Sequence, residues 1–234
     1  MTSRRLVVAF DAHDPARLAQ FWGDVLGRIV QDDAGAALIP GGETQLSLRF
    51  VPGSAEKIGP NCMHPHLTSA DLADQQHTVS TALRLGARHI DVGQRPEERH
   101  VVLADPEGNE FCVIEPGNSF LAGCGFLGEL ACDGSREVGL FWSDALGWPL
   151  VWDQDQETAI QSPHGGTKIG WGGPPVPPKV GRNRQRFDLV TVDRNQSAEV
   201  DRLVSLGATR LEVAKDDAIA LADPDGNEFC LVAG

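Results

Sequence analysis

The chain has 234 residues, with 20 basic against 33 acidic side chains and a formal net charge of -13 at pH 7. This negative charge repels phosphate backbones and anionic lipid surfaces, so we expect neither nucleic acid nor a membrane as a partner. The apolar run at 6–10 is too short for a signal-peptide core or a membrane span, and we expect a cytoplasmic protein. The five cysteines are odd in number and form no CxxC pair, which indicates reduced thiols.

The first predicted elements are a strand and an amphipathic helix. Residues 6–11 alternate as a strand does, and Asp14 and Pro15 then supply an N-cap and a first-turn proline. Apolar residues follow at helical spacing until Gly27 ends the helix. Short strands are predicted near 28–31, 37–39 and 45–50, between turns rich in Asp, Gly and Pro. The order of elements is therefore βαβββ.

The same order returns along the chain. A second unit starts at His64, with a helix around 74–85 and strands near His89, His100 and Glu110, and further helices are predicted near 135–146 and 197–206. FWGDVLG at 21–27 returns as FWSDALG at 141–147, and DPEGNEFCVI at 105–114 returns as DPDGNEFCLV at 223–232. Matches at a nearly constant offset predict two tandem α+β domains, 1–118 and 119–234.

A βαβββ unit with an FWxDxLG helix and a DP[ED]GNEF turn resembles the glyoxalase, bleomycin-resistance and extradiol-dioxygenase superfamily, which has the vicinal oxygen chelate fold. The resemblance covers essentially the whole chain. It implies four βαβββ units in two tandem domains, each with a cupped mixed sheet, helices outside and the ligand inside the cup. We expect a monomeric pseudo-dimer or a homodimer.

The resemblance also implies where metal ligands would lie. Metal-dependent members use the first strand of each unit and a Glu in the last strand. Here the Glu positions hold Cys112 and Cys230, and the first-strand positions hold Val7, His64, Leu127 and Arg186. Only His64 is an ordinary ligand, so we expect no metal. A divalent ion held by His64, His66 and Cys112 stays open as an alternative, since imidazole and thiolate suit zinc or copper.

If the strand faces that carry these positions point inward, the two cups have different polar walls. The predicted ligand-binding wall of the first cup is Glu110, Cys112, His64, His66 and Thr68. That of the second cup is Glu228, Cys230, Arg186, Asp188 and Glu129. Arg186 and its carboxylates either form a structural ion pair or are catalytic, with Arg186 receiving an anionic or carbonyl oxygen while Glu129 or Asp188 accepts a proton.

Tryptophans and cysteines also allow two interpretations each. Trp22 and Trp142 occupy matching helix positions and are predicted to lie in the core. Trp152 and Trp171 either pack in the core or form an aromatic wall for a planar ligand. The thiol of Cys112 is either a small apolar group in a sheet or a nucleophile, because His64 or His66 offers it a neighbouring base.

Three classes of function fit these features. The favoured one is metal-free binding of a small organic molecule, planar or anionic, in a sheet cup. The alternative is an enzyme of the same superfamily, either a metal-free acid-base isomerase or lyase or a metal-dependent lyase or dioxygenase. The third is a structural protein with degenerate cups, and the polar walls count against it because an inert, filled cup favours aliphatic residues.

Overall fold

A computed structural model describes residues 4–53, 56–95, 97–191, 196–211 and 218–233. Four βαβββ units follow one another, as predicted. Unit 1 consists of β1 (Arg4–Ala12), α1 (Pro15–Leu26), β2 (Gln31–Asp33), β3 (Ala36–Ile39) and β4 (Ser47–Pro52). Unit 2 consists of β5 (Met63–Leu67), α2 (Leu72–Arg84), β6 (Arg88–His89), β7 (Val101–Ala104) and β8 (Glu110–Val113). Unit 3 consists of β9 (Leu127–Cys132), α3 (Arg136–Leu146), β10 (Leu150–Gln154), β11 (Glu157–Gln161) and β12 (Lys168–Trp171). Unit 4 consists of β13 (Gln185–Thr191), α4 (Gln196–Ser205), β14 (Thr209–Arg210), β15 (Ile219–Ala222) and β16 (Glu228–Ala233).

The two sheets each combine units from both halves of the chain. The first sheet has the order β14-β15-β16-β13-β1-β4-β3-β2 and joins units 1 and 4. The second sheet has the order β10-β11-β12-β9-β5-β8-β7-β6 and joins units 2 and 3. The central pairs, β1 with β13 and β5 with β9, are antiparallel. The assignment of one cup to each half is therefore wrong, because each cup is built across the halves.

Helix boundaries follow the local sequence signals. Asp14 caps α1 by accepting the Arg17 backbone N–H at 3.0 Å, and Pro15 occupies the first turn. Gly27 and Gly147 end α1 and α3 with φ of 64° and 69°, a left-handed conformation that glycine adopts without strain. Within the part of the chain that the structure describes, no helix has the length and apolar content needed to cross a membrane.

One continuous core joins both sheets and all four helices. Trp22 of α1 is fully buried, and its ring centroid lies 6.2 Å from Phe10 in the first sheet and 5.0 Å from Phe111 in the second. Trp142 of α3 is also buried, and it contacts Phe187 and Phe229, which both lie in the first sheet. The prediction that both helix tryptophans lie in the core is confirmed. The helices thus cover one face of each sheet and leave the opposite face to the cup.

The repeated DPxGNE turns hold the two units of each half together. Asp105 accepts the backbone N–H groups of Glu107 and Asn109 and also the indole N–H of Trp22 at 3.1 Å. The Glu107 carboxylate accepts the backbone N–H groups of His13 and Asp14, just before α1. In the second half, Asp225 accepts both the backbone N–H and the hydroxyl of Ser135 before α3. The turn of one unit therefore fixes the start of the preceding unit's helix.

Candidate functional site

The cup face of the second sheet brings three chemically active side chains together. His66 on β5 lies opposite Cys112 on β8 and opposite Glu129 on β9, so the three share one face. The His66 Nδ1 atom lies 2.9 Å from Glu129 Oε2, and Cys112 is the register partner of His66 on the adjacent parallel strand. These residues come from three strands and from both halves of the chain. The cluster therefore exists only because units 2 and 3 share a sheet.

The two histidines of β5 differ in their charge. Burial lowers the pKa of His66, but hydrogen bonds to Cys112 and Glu129 and the charges of these groups outweigh it and raise that pKa to about 9. For His64, burial and the charge of His66 lower the pKa to about 4. The ring centroids are 5.2 Å apart. At neutral pH one ring is thus a cationic proton donor and its neighbour is neutral.

Small residues form the floor of the cup beside this cluster. Ala159, Gly170 and Ala131 lie in register on adjacent strands, next to His64. A Cβ atom on Gly170 would lie only 2.4 Å from Glu129 Oε1. The glycine therefore makes room for the carboxylate that holds His66.

Aromatic and cationic groups border the same floor. Trp152 on β10 is 38% exposed and packs edge-on against Phe120 with ring centroids 6.0 Å apart. The Lys168 ammonium donates to the Phe120 carbonyl oxygen and lies 4.2 Å from the centre of its ring. A small apolar cluster, made of Val102, Cys112, Ile114 and Leu121, lies on the other side. This cup therefore combines planar, apolar and positively charged surfaces.

We expect Gly170→Ala to separate Glu129 from His66, because the added methyl group occupies the space of Glu129 Oε1. Without that partner, the pKa of His66 should fall from about 9 toward its ordinary value. NMR titration of the His66 ring measures this change. Gly172→Ala is the matched control, since a Cβ there meets no atom within 4 Å. An unchanged titration of His66 in Gly170→Ala would contradict the contact.

The cup face of the first sheet carries charges that neutralise one another. Arg186 Nη1 donates to Asp11 Oδ1 at 2.6 Å, and Arg186 Nε lies 3.4 Å from Asp188 Oδ1. Arg49 lies between Asp188 and Asp33, at 3.8 Å and 2.6 Å. This geometry supports the structural ion-pair interpretation of Arg186 and Asp188.

Glu129 does not join that ion pair, and the prediction that it lies beside Arg186 and Asp188 is wrong. Its strand, β9, pairs with β5 and β12, whereas β13 pairs with β1 and β16. The three predicted catalytic residues are thus divided between two sheets. Leu127, which the resemblance placed at a metal-ligand position on the first strand of its unit, is instead buried in the core at 1% exposure. Glu129 lies opposite His66 in one sheet, and Val7 lies opposite Asp188 in the other. Glu129 and Val7 therefore hold equivalent positions in the two sheets.

Glu110 and Glu228 have structural partners in the segments that link the units. Glu110 forms an ion pair with Lys57 and accepts the backbone N–H of Asn61. Glu228 pairs with Lys179 at 2.6 Å and accepts the backbone N–H of Asn183 at 3.4 Å. The repeated contacts hold each linker against the last strand of its half. The structure therefore gives both carboxylates partners within the protein, and their role in ligand binding stays a prediction.

Of the two tryptophans predicted to form a wall, only Trp152 borders a cup. Trp171 is 3% exposed and belongs to the core. Alternation along β12 places it on the same face as Ile169, which is also buried, and opposite to Lys168 and Gly170. Of the two interpretations of Trp171, the structure therefore fits the core and not the aromatic wall. Cys230 lies on the cup face of the first sheet, opposite Asp188.

The side chains of the second cup do not fit a resident metal ion. Among the described residues, no group of three or more His, Cys, Asp or Glu side chains has a geometry that could hold one. The Nδ1 atom of His66 is engaged by Glu129, which leaves only Nε2 of this ring for any other partner. The set of His64, His66 and Cys112 thus matches a hydrogen-bonded cluster better than a chelate.

Three residues of this cup were not identified from the sequence: Phe120, Lys168 and Gly170. The strand 168–171 alternates between a cation, Ile169, a glycine and Trp171. This alternation was a usable signal, since it separates an apolar face from a face with a cation and a gap. Phe120 lies in a loop, where no periodic pattern reports which way a side chain points.

Comparison with known proteins agrees with this architecture. A model of the glyoxalase-like domain matches the chain twice, at residues 7–114 and 129–232. No curated protein matches the sequence significantly. Glyoxalase I from Zea mays is similar in structure, with a TM-score of 0.67, 15% identity and coverage of 99% of this chain and 93% of its own. A proposed dioxygenase from Bacillus subtilis has a TM-score of 0.58 and 15% identity, with coverage of 97% of this chain and 83% of its own. The CppA protein from Streptococcus pneumoniae has a TM-score of 0.51 and 9% identity, with coverage of 100% of both chains. At these identities the likenesses show a common fold.

Proposed function

The chain belongs to the family of proteins with glyoxalase-like domains, and we propose that it binds a small, partly planar organic molecule in the cup of the second sheet. The ligand carries an anionic or carbonyl oxygen. The observation that supports this proposal is the pair of His66 and Glu129, at 2.9 Å, beside a floor of Gly170 and alanines. A fixed imidazolium whose side chain is 18% exposed is a suitable partner for such an oxygen.

The surroundings of this pair supply the remaining recognition. Lys168 adds a second positive charge, and Trp152 with Phe120 offers an aromatic edge against which a planar ring can pack. The cup of the first sheet is a poorer candidate, since Asp11 and Asp188 already neutralise the charge of Arg186. Binding in the second cup needs no metal, because the protein groups themselves provide the positive charge.

A metal-free acid-base enzyme is the second candidate, and the protonation of His66 favours it. With a pKa of about 9, His66 carries a proton at neutral pH and is poised as a general acid. Glu129 orients the ring and balances the charge. In this case a bound carbonyl compound would receive the proton from His66 as negative charge develops on its oxygen.

Anilinonaphthalene sulfonate is a suitable probe, because it is planar and anionic. We expect it to bind the folded protein and to quench the fluorescence of Trp152. Its dissociation constant should rise at least about tenfold in His66→Gln, equal to a loss of about 1.4 kcal/mol. Fluorescence titration with each variant measures this.

Asp188→Asn is the matched control, since Asp188 occupies on β13 the position that His66 occupies on β5. This variant should bind the probe with unchanged affinity. Weakened binding in Asp188→Asn together with normal binding in His66→Gln would place the ligand in the first sheet and reject the proposal.

A further inference from the structure

The second cup contains a thiol in a setting suited to chemistry as well as to binding. We infer that Cys112 is a nucleophile that forms a covalent adduct with a small, soft electrophile in this cup, with His66 as its proton-transfer partner and Glu129 as the positioning residue. The inference rests on the proposed function for the location of the ligand. It goes beyond that function because binding alone requires no reactive sulfur.

The geometry supplies each part of an activated thiol. Glu129 Oε2 holds His66 Nδ1 at 2.9 Å, so Nε2 is the ring nitrogen left for the Cys112 sulfur. A histidine beside a thiol, itself oriented by a carboxylate, is the arrangement found in nucleophilic catalysis.

The duplicated fold provides a comparison within the same molecule. Cys230 lies opposite Asp188 in the first sheet, as Cys112 lies opposite His66 in the second. Burial and the charge of Asp188 raise the pKa of the Cys230 thiol. Cys230 is nevertheless the more exposed of the two, since Cys112 is 7% exposed and Cys230 is half-buried. Exposure alone therefore predicts that Cys230 reacts faster, whereas the neighbouring imidazole predicts that Cys112 reacts faster.

The surroundings of Cys112 indicate the class of electrophile. Val102, Ile114 and Leu121 pack around the thiol and favour an apolar carbon skeleton. Lys168 lies opposite Glu129 in the sheet and adds positive charge for an oxygen. An α,β-unsaturated carbonyl compound satisfies both conditions. The sulfur bonds to its β-carbon, the carbon–carbon π bond opens to an enolate, and the thiol proton passes through His66 to the α-carbon, so no oxidant or reductant is needed.

N-ethylmaleimide, which is such a compound, tests the inference directly. The full-length protein is treated with one equivalent at neutral pH in the presence of EDTA, and adducts are located by peptide mass spectrometry over time. We expect Cys112 to react at least about tenfold faster than Cys230. His66→Gln should slow Cys112 by a similar factor, whereas Asp188→Asn should leave it unchanged. Glu129→Gln should slow it less, as expected of a positioning residue.

Equal or faster labelling of Cys230 in the wild-type protein would overturn the inference, and this comparison needs no variant to fold. An unchanged rate at Cys112 in His66→Gln would overturn it as well. The two tests fail in different ways. Normal binding of anilinonaphthalene sulfonate by the wild-type protein together with slow labelling of Cys112 rejects only the nucleophile, whereas the absence of probe binding rejects the proposed function.

Discussion

Replacing Trp22 with alanine is expected to lower the free energy of unfolding by about 3–5 kcal/mol. Trp22 is fully buried and contacts Phe10, Phe21 and Phe111, so its removal opens a cavity between the two sheets. The change also removes the indole N–H that Asp105 accepts. Burial already raises the pKa of Asp105, and the loss of a donor makes its carboxylate harder to keep buried.

Chemical denaturation followed by circular dichroism measures this loss. Trp152→Ala is the matched control, because Trp152 is 38% exposed and its truncation should change stability little. Trp22→Phe should fall between the two, since it keeps an aromatic ring but has no N–H for Asp105. A loss below about 1 kcal/mol in Trp22→Ala would contradict a core that joins both sheets at this residue.

Stability should fall as the pH rises through the titration of His66. The folded protein raises the pKa of His66 from 6.5 to about 9, so the folded state holds the proton more tightly than the unfolded state. The resulting stabilisation is complete below pH 6.5 and is lost as the pH approaches 9, with a magnitude of about 3 kcal/mol. His66→Gln should remove this slope.

Other titratable groups face the same cup, so a variant at one of them is needed as a control. They are His64, His100, Cys112, Glu110, Glu129 and Lys168. Glu129→Gln keeps the shape of the site but removes one of the two groups that raise the pKa of His66, so it should flatten the slope in part. Urea titrations at intervals across this range measure the effect. A slope that persists unchanged in His66→Gln would show that another group carries it.

The local elements were predictable because their signals are local. Asp14, Pro15 and Gly27 mark the ends of α1, and the same pattern ends α3 at Gly147. The repeated turns and helices identified the four units. Trp22 and Trp142 were recognisable as core residues because they share one helix position in both halves.

The pairing of units was not predictable in the same way, and the site depends on it. The sequence of β9 does not indicate whether the strand pairs with β5 or with β13, because either pairing buries Leu127 and Leu130. Glu129 was therefore assigned to Arg186 when its partner is His66. Strand parity alone also misplaced Trp171, since it gives two faces without saying which one is buried. Lys57 and Lys179 lie in linkers without periodicity, so their ion pairs with Glu110 and Glu228 were not foreseen.

A crystal structure of the protein with bound anilinonaphthalene sulfonate tests most directly whether the second cup is the functional one. We expect the naphthalene ring above Gly170, against Trp152 and Phe120, with the sulfonate within hydrogen-bonding distance of His66 or Lys168. A probe seated on the first sheet beside Arg186, or outside both cups, would contradict this account.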